Sequence, residues 1–194
     1  MGKLRVCVYC ASSRQCDQSY LDAAERLGRH LAQHQATLVY GGGGAGAMAR
    51  LAQGALSAGG AVVGIIPRFM VELEWGHRQL TELRIVEDMR ERKSLMLAGA
   101  DAVVALPGGC GTLEELLETL TLKRLGQYLG PIILVNTRGF YDRLVGVLEH
   151  CITERFLDAR HRAMWTVVAQ PEDVLGAIRS APAWSSRNRD FAVS

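Results

Sequence analysis

Short apolar runs recur along this chain, and helical patterns fill the intervals between them. The runs at 4–10, 36–40, 61–66, 83–86, 102–106, 131–136 and 165–169 read as strands. Apolar residues at helical spacing read as helices over 18–33, 47–58, 88–100, 113–125, 140–151 and 172–179. The less regular stretch 68–80 reads as a short helix plus loop. Most strand runs are apolar throughout, which a strand needs when both of its faces are covered. Such alternation predicts a Rossmann-like, doubly wound α/β fold with a mostly parallel sheet. A chain of 194 residues is long enough to close that fold as a single domain. The domain is expected over residues 1–181, followed by a polar, loosely held tail over 182–194.

A sheet of this kind binds ligands beyond the carboxyl ends of its strands. The loops expected there are Ala11-Ser12-Ser13, the run Gly41 to Gly46, and Pro107-Gly108-Gly109-Cys110-Gly111-Thr112. The last is a glycine-rich strand-to-helix turn. Its backbone can approach a ligand closely, and the helix it opens offers unpaired N–H groups to an anion. The net charge of +2 is too small to imply a nucleic-acid or membrane partner, so any anion site is local. Five cysteines in a chain of this size read as reduced thiols. With no secretory leader pattern and no run long enough to span a membrane, a cytoplasmic protein is expected.

Several motifs point away from common chemistries. Gly41, Gly43 and Gly46 fit G-x-G-x-x-G, but after the second strand run and with no acidic residue at the end of the next. That argues against a dinucleotide site, and the missing Lys-Ser or Lys-Thr argues against a triphosphate loop. The run is either a pocket-lining loop, with Gly42 and Gly43 near the ligand, or a tight packing turn. Cys7 and Cys10 lie three apart on one strand, so they point to opposite faces as core thiols. Cys110 has no histidine near it in sequence, and His30 with His34 lacks an acidic ligand; no metal site is expected. Arg90, Arg92 and Lys93 read either as a solvated helix face or as cations beside the ligand. Thr112-Leu113-Glu114-Glu115 likewise admits two readings. It is a capping box with Glu115 bonded back to the helix start, or it is a turn whose amides bind an anion and leave a carboxylate for the substrate.

Taken together these residues resemble the Lonely Guy family, the cytokinin riboside 5′-monophosphate phosphoribohydrolases. The family's P-G-G-x-G-T-x-x-E is matched by Pro107 to Glu115, and its M-x-x-R-K by Met89-Arg90-Glu91-Arg92-Lys93. Its C-x-S-S is matched by Cys10 to Ser13, and its Y-G-G-G by Tyr40 to Gly43, with Gly46 and Met48 following. The resemblance runs from about Leu4 to about Phe156. It implies hydrolysis of the N-glycosidic bond of adenosine 5′-monophosphates, N6-substituted ones preferred and plain AMP also admitted, giving free base and ribose 5-phosphate. It implies Arg92 and Glu115 as the catalytic pair. Ser12, Gly42, Gly43, Gly108, Gly109, Cys110, Gly111, Thr112 and Glu114 become candidate substrate and phosphate contacts. Glu74, Lys93 and Thr121 join them as contacts or supports of the site. No cofactor is implied, and the usual assembly is a homodimer paired through helices near residues 92–98 and 121–125. Ala47, Ala49 and Leu122 depart from the family pattern, as does the stretch Arg68-Phe69-Met70, away from the expected catalytic pair. Two rival readings keep the same cradle: an AMP or pyrimidine-nucleotide nucleosidase of salvage, and a non-catalytic carrier of molybdenum cofactor.

Overall fold

The computed structural model describes residues 2–192 apart from Glu74 and Arg78. Its strands are β1 (Arg5–Tyr9), β2 (Thr37–Tyr40), β3 (Val62–Pro67), β4 (Glu82–Val86), β5 (Ala102–Ala105), β6 (Ile132–Val135) and β7 (Trp165–Val168). They form one seven-stranded sheet in the order β4-β3-β2-β1-β5-β6-β7. Every pairing is parallel. The expected sheet is therefore present, and it is wholly parallel.

The helices are α1 (Gln18–Gln33), α2 (Gly46–Ser57), α3 (Arg68–Glu72), α4 (Met89–Leu97), α5 (Cys110–Arg124), α6 (Asp142–Thr153) and α7 (Val174–Ser180). One core layer joins Leu27 and Leu31 of α1, Leu51 of α2 and Val174 of α7 to the sheet residues Val8, Leu38 and Val104. The opposite layer joins Met96 of α4, Leu116 and Leu120 of α5 and Leu148 of α6 to Val39, Val103 and Leu134. Alternating strand side chains feed the two layers in turn. Cys7 and Cys10 accordingly fall in opposite layers, both buried and free. Burial pushes both thiols up, as expected of core cysteines.

Two expectations change. The chain from Pro182 onward is not loosely held at Trp184. Its indole is buried, and Nε1 donates to the carbonyl of Lys123 at 2.8 Å. Phe191 packs edge-on against Trp184 with ring centres 6.0 Å apart. Gly126 makes this docking possible. It follows the last residues of α5 at φ +71, and a side chain there would meet the backbone of Ser186. A single buried aromatic outweighs the polar composition around it. The second change is the start of α5, three residues earlier than the periodicity predicts, and it bears on the site.

Candidate active site

Strand order reverses between β1 and β5, so the loops that leave these strands splay apart and open a crevice. A cavity of about 810 Å³ lies there, bounded by Ala11 to Gln15, by Gly41, Gly43 and Gly44, and by Gly109 to Thr112. The three loops expected at the carboxyl edge thus meet around one space.

Helix α5 opens on this cavity with Gly109 as its cap residue and no side chain bonded to its first amides. Leu113 N donates to Gly109 O at 3.0 Å, closing the first turn within the glycine segment. Thr112 is therefore the third helical residue and does not cap; its buried side chain folds against Gly108. Glu115 lies a turn deeper and cannot reach back to the helix start. The capping-box reading of Thr112 and Glu115 is corrected on this ground: glycines tolerate the tight turn, so the helix begins before the threonine. The first amides remain available to an anion.

Glu115 is 7% exposed and reaches the cavity. Among the described residues nothing donates a hydrogen bond to its carboxylate. Burial pushes its pKa up to about 7, while the nearby Arg92 guanidinium pulls the other way. Arg92 is also buried, and its own pKa is drawn down by burial against the pull of Glu115. Its position is set by backbone. Nε donates to Ile65 O at 3.1 Å and Nη2 to Gly41 O at 2.7 Å. One carbonyl belongs to β3 and the other directly follows β2, so the sheet itself aims the guanidinium. A side chain at Gly41 would collide with Nη2. The site thus holds a fixed cation beside a carboxylate that titrates near neutrality, at the end of a helix built to take an anion.

The remaining expected residues divide. Ser12, Gly43, Gly109, Cys110, Gly111, Thr112 and Glu114 border the cavity with the Arg92–Glu115 pair. Gly42 and Gly108 lie just behind it; Gly42 O accepts from His77 N at 2.9 Å. Lys93 faces away, into a groove between α4 and α5, where it is paired with Glu114 and, at 2.9 Å, with Glu118. Thr121 is exposed on α5, with its hydroxyl bonded to Leu117 O at 2.8 Å. The structure does not bring Lys93 or Thr121 to the cavity wall. Glu74 lies outside the described residues. Among those residues, no group of three or more His, Cys, Asp or Glu side chains is placed to hold a metal.

Other residues at the site are not among the expected contacts. Met48, Met70, Met89, Ile66 and Trp75 form an apolar side of the cavity. Behind the pair, Tyr9 is bonded to Thr119 at 2.9 Å, and Thr119 donates to the carbonyl of Glu115 at 2.9 Å. Tyr141 donates to Leu106 O at 2.8 Å and steadies the glycine turn from below. The contacts of Tyr9 with Thr119 and of Tyr141 with Leu106 are long-range and are made by side chains ordinary in sequence. Only the glycine run around Gly41 signals close backbone approach in advance.

The family described as "possible lysine decarboxylase" matches residues 48–178. A cytokinin riboside 5′-monophosphate phosphoribohydrolase of Rhodococcoides fascians is 41% identical over 176 residues, covering 90% of this chain and 89% of its own. The Arabidopsis thaliana enzyme of the same name, LOG1, is 41% identical over 159 residues, covering 81% of this chain and 75% of its own. The chain belongs to the Lonely Guy family. Among solved structures, the molybdenum cofactor binding protein of Rippkaea orientalis superposes with a TM-score of 0.71 at 23% identity, covering 93% of this chain and 98% of its own. At that identity the likeness concerns the fold, which the Lonely Guy family shares with carriers. The family match includes α4 and α5, so the segments that supply Arg92 and Glu115 both lie within it.

Proposed function

We propose that this protein hydrolyses the N-glycosidic bond of adenosine 5′-monophosphates, N6-substituted ones among them, to the free base and ribose 5-phosphate. The observation that carries the reading is the buried Arg92–Glu115 pair at the mouth of an uncapped glycine-rich helix start. The 5′-phosphate sits on the amides of Gly109 to Thr112, where the helix end favours negative charge. That places the ribose over Glu115. As the bond between C1′ and the base nitrogen breaks, positive charge develops on the ribose, and the carboxylate stabilises it. Water adds its oxygen to C1′ and gives a proton to Glu115; the electron pair of the broken bond leaves with the base, which takes up a proton from solvent to become the free base, and Glu115 returns its proton to solvent. A carboxyl titrating near 7 is suited to that exchange. Arg92 stays charged throughout. Its Nε and Nη2 are held by Ile65 and Gly41 and its Nη1 lies 3.6 Å from Met89 Sδ, and the N–H hydrogens not spent on these contacts serve the ribose hydroxyls.

The protein acts as a homodimer in this reading. Support comes from a groove of about 850 Å³ beside α4 and α5, lined by Leu97, Leu122 and the exposed Leu129. Leu117 and Leu125, also exposed on α5, extend the apolar surface. Sedimentation that finds a fully active monomer overturns the dimer.

The test of the activity is direct. The protein is incubated with AMP and with N6-isopentenyl-AMP, and base and ribose 5-phosphate are followed. Release from at least one nucleotide is expected. Silence with both overturns the reading and leaves a binding protein built on the same cradle.

A further inference from the structure

Trp75 stands apart from the other two tryptophans of this chain. Trp165 and Trp184 are buried, whereas Trp75 is 55% exposed and borders the cavity. Leaving an indole half in water forgoes much of the stabilisation its burial would give. The segment that carries it is nevertheless firmly held. Gly44 N donates to Trp75 O at 2.8 Å, and His77 N donates to Gly42 O at 2.9 Å. Between them Gly43 and Gly76 form an antiparallel bridge. Trp75 N closes back on Met70 O at 3.0 Å. A short strap is thus laced to the glycine loop, the same loop whose Gly41 carbonyl holds Arg92. The lacing fixes the backbone at Trp75 relative to the reacting end of the cavity.

We propose that Trp75 is a specificity-determining residue that receives the flat base of the nucleotide on its indole face. The inference rests on the nucleotide reading of the site. With the phosphate on the start of α5 and the ribose over Glu115, the base extends toward the apolar side formed by Met48, Met70, Met89 and Trp75. An indole offers a π-face to any base, and stacking on an aromatic side chain tolerates different exocyclic groups. A purine covers more of it than a pyrimidine does. Trp75 therefore favours purine nucleotides over pyrimidine nucleotides while leaving the substituent at N6 to the methionines, whose side chains adapt to irregular shapes.

All three tryptophans emit, but Trp165 and Trp184 are buried away from the cavity, so a quench on ligand binding reports on Trp75. Binding to the Glu115→Gln variant is followed with AMP, CMP and ribose 5-phosphate, and steady-state rates are measured for wild type, Trp75→Ala and Trp75→Phe. AMP is expected to quench the emission, ribose 5-phosphate to bind without quenching, and Trp75→Ala to abolish the quench. Trp75→Ala is expected to raise KM for AMP by about ten-fold or more with kcat little changed. Trp75→Phe is expected to recover most of the loss, and the preference for AMP over CMP to narrow in Trp75→Ala. Unchanged KM and unchanged preference in Trp75→Ala overturn the proposal while leaving the hydrolase reading intact. Absence of quenching by AMP that does bind overturns it equally, as when a second copy of the chain covers the indole. If the wild type binds AMP but releases no base, the activity fails and the quenching result still decides the role of Trp75.

Discussion

The two ends of α5 each bury a charge, and they treat it in opposite ways. At the N-terminal end Glu115 is 7% exposed, has no hydrogen-bond donor among the described residues, and reaches a cavity. At the C-terminal end Lys123 is 1% exposed; its Nζ donates to Gly130 O at 2.7 Å and lies 5.6 Å from the centre of the Trp184 ring. Burial pushes the carboxyl up to about 7 and the ammonium down to about 8. The physical cause is the same, loss of water around a charge. What differs is satisfaction. Lys123 is bonded, covered by the C-terminal segment and set at the helix end that favours a cation. Glu115 is left incomplete, facing space for a ligand. Burial of a charge alone does not mark a reactive group; burial with unmet bonding capacity at a cavity does.

The largest effect expected from this contrast is on rate. Glu115→Gln keeps the shape and removes the charge, and it is expected to lower kcat by about 10²- to 10⁴-fold in an assay of base release. A retained rate would mean that the two ends of the helix do not differ in kind. At the other end, Trp184→Ala is expected to cost about 3 kcal/mol of stability in denaturant unfolding while kcat holds, because it uncovers Lys123 and leaves a cavity. Loss of activity in the folded variant would show that the tail governs the site.

Stability against pH sharpens the comparison further. The folded-state pKa of Glu115 is raised, so its contribution is complete below about pH 4.5 and is lost as pH rises through about 7. Glu115→Gln is therefore expected to gain on the wild type across that window, by up to about 3 kcal/mol at pH 8. Matching stability curves for the two proteins would mean that the carboxyl is better solvated than its burial implies. The smallest effect is expected from Lys123→Met. Losing a hydrogen bond to a carbonyl is offset by removing a buried charge, leaving stability at pH 7 within about 1 kcal/mol. A much larger loss would show that the cation on Trp184 is what holds the tail.

Much of the frame is legible in the residues. The apolar runs and helical spacings anticipate the sheet and place the three loops that meet at the cavity. The glycine turn announces the anion cradle. Arg92 and Glu115 are harder, because each has an ordinary surface or capping explanation and only a motif resemblance joins them. The tail shows the opposite difficulty: its polar composition hides one tryptophan that decides its structure. Trp75 lies in the least regular stretch, where no periodicity predicts which way a side chain points.

The sequence by itself determined the fold class, the order of strands and helices, and the presence of a glycine-rich helix start at a strand end. These follow from local periodicity and from backbone freedom at glycine, which act within a few residues. Only the tertiary structure decided that Arg92 is aimed by carbonyls of β3 and the glycine loop, that Glu115 is buried without a donor, and that Lys93 and Thr121 turn away from the cavity. Such facts depend on desolvation and on contacts between residues far apart in the chain. The start of α5 belongs to both. The turn is encoded in the glycines, and the helix that packs behind it carries Glu115 past capping and into the site.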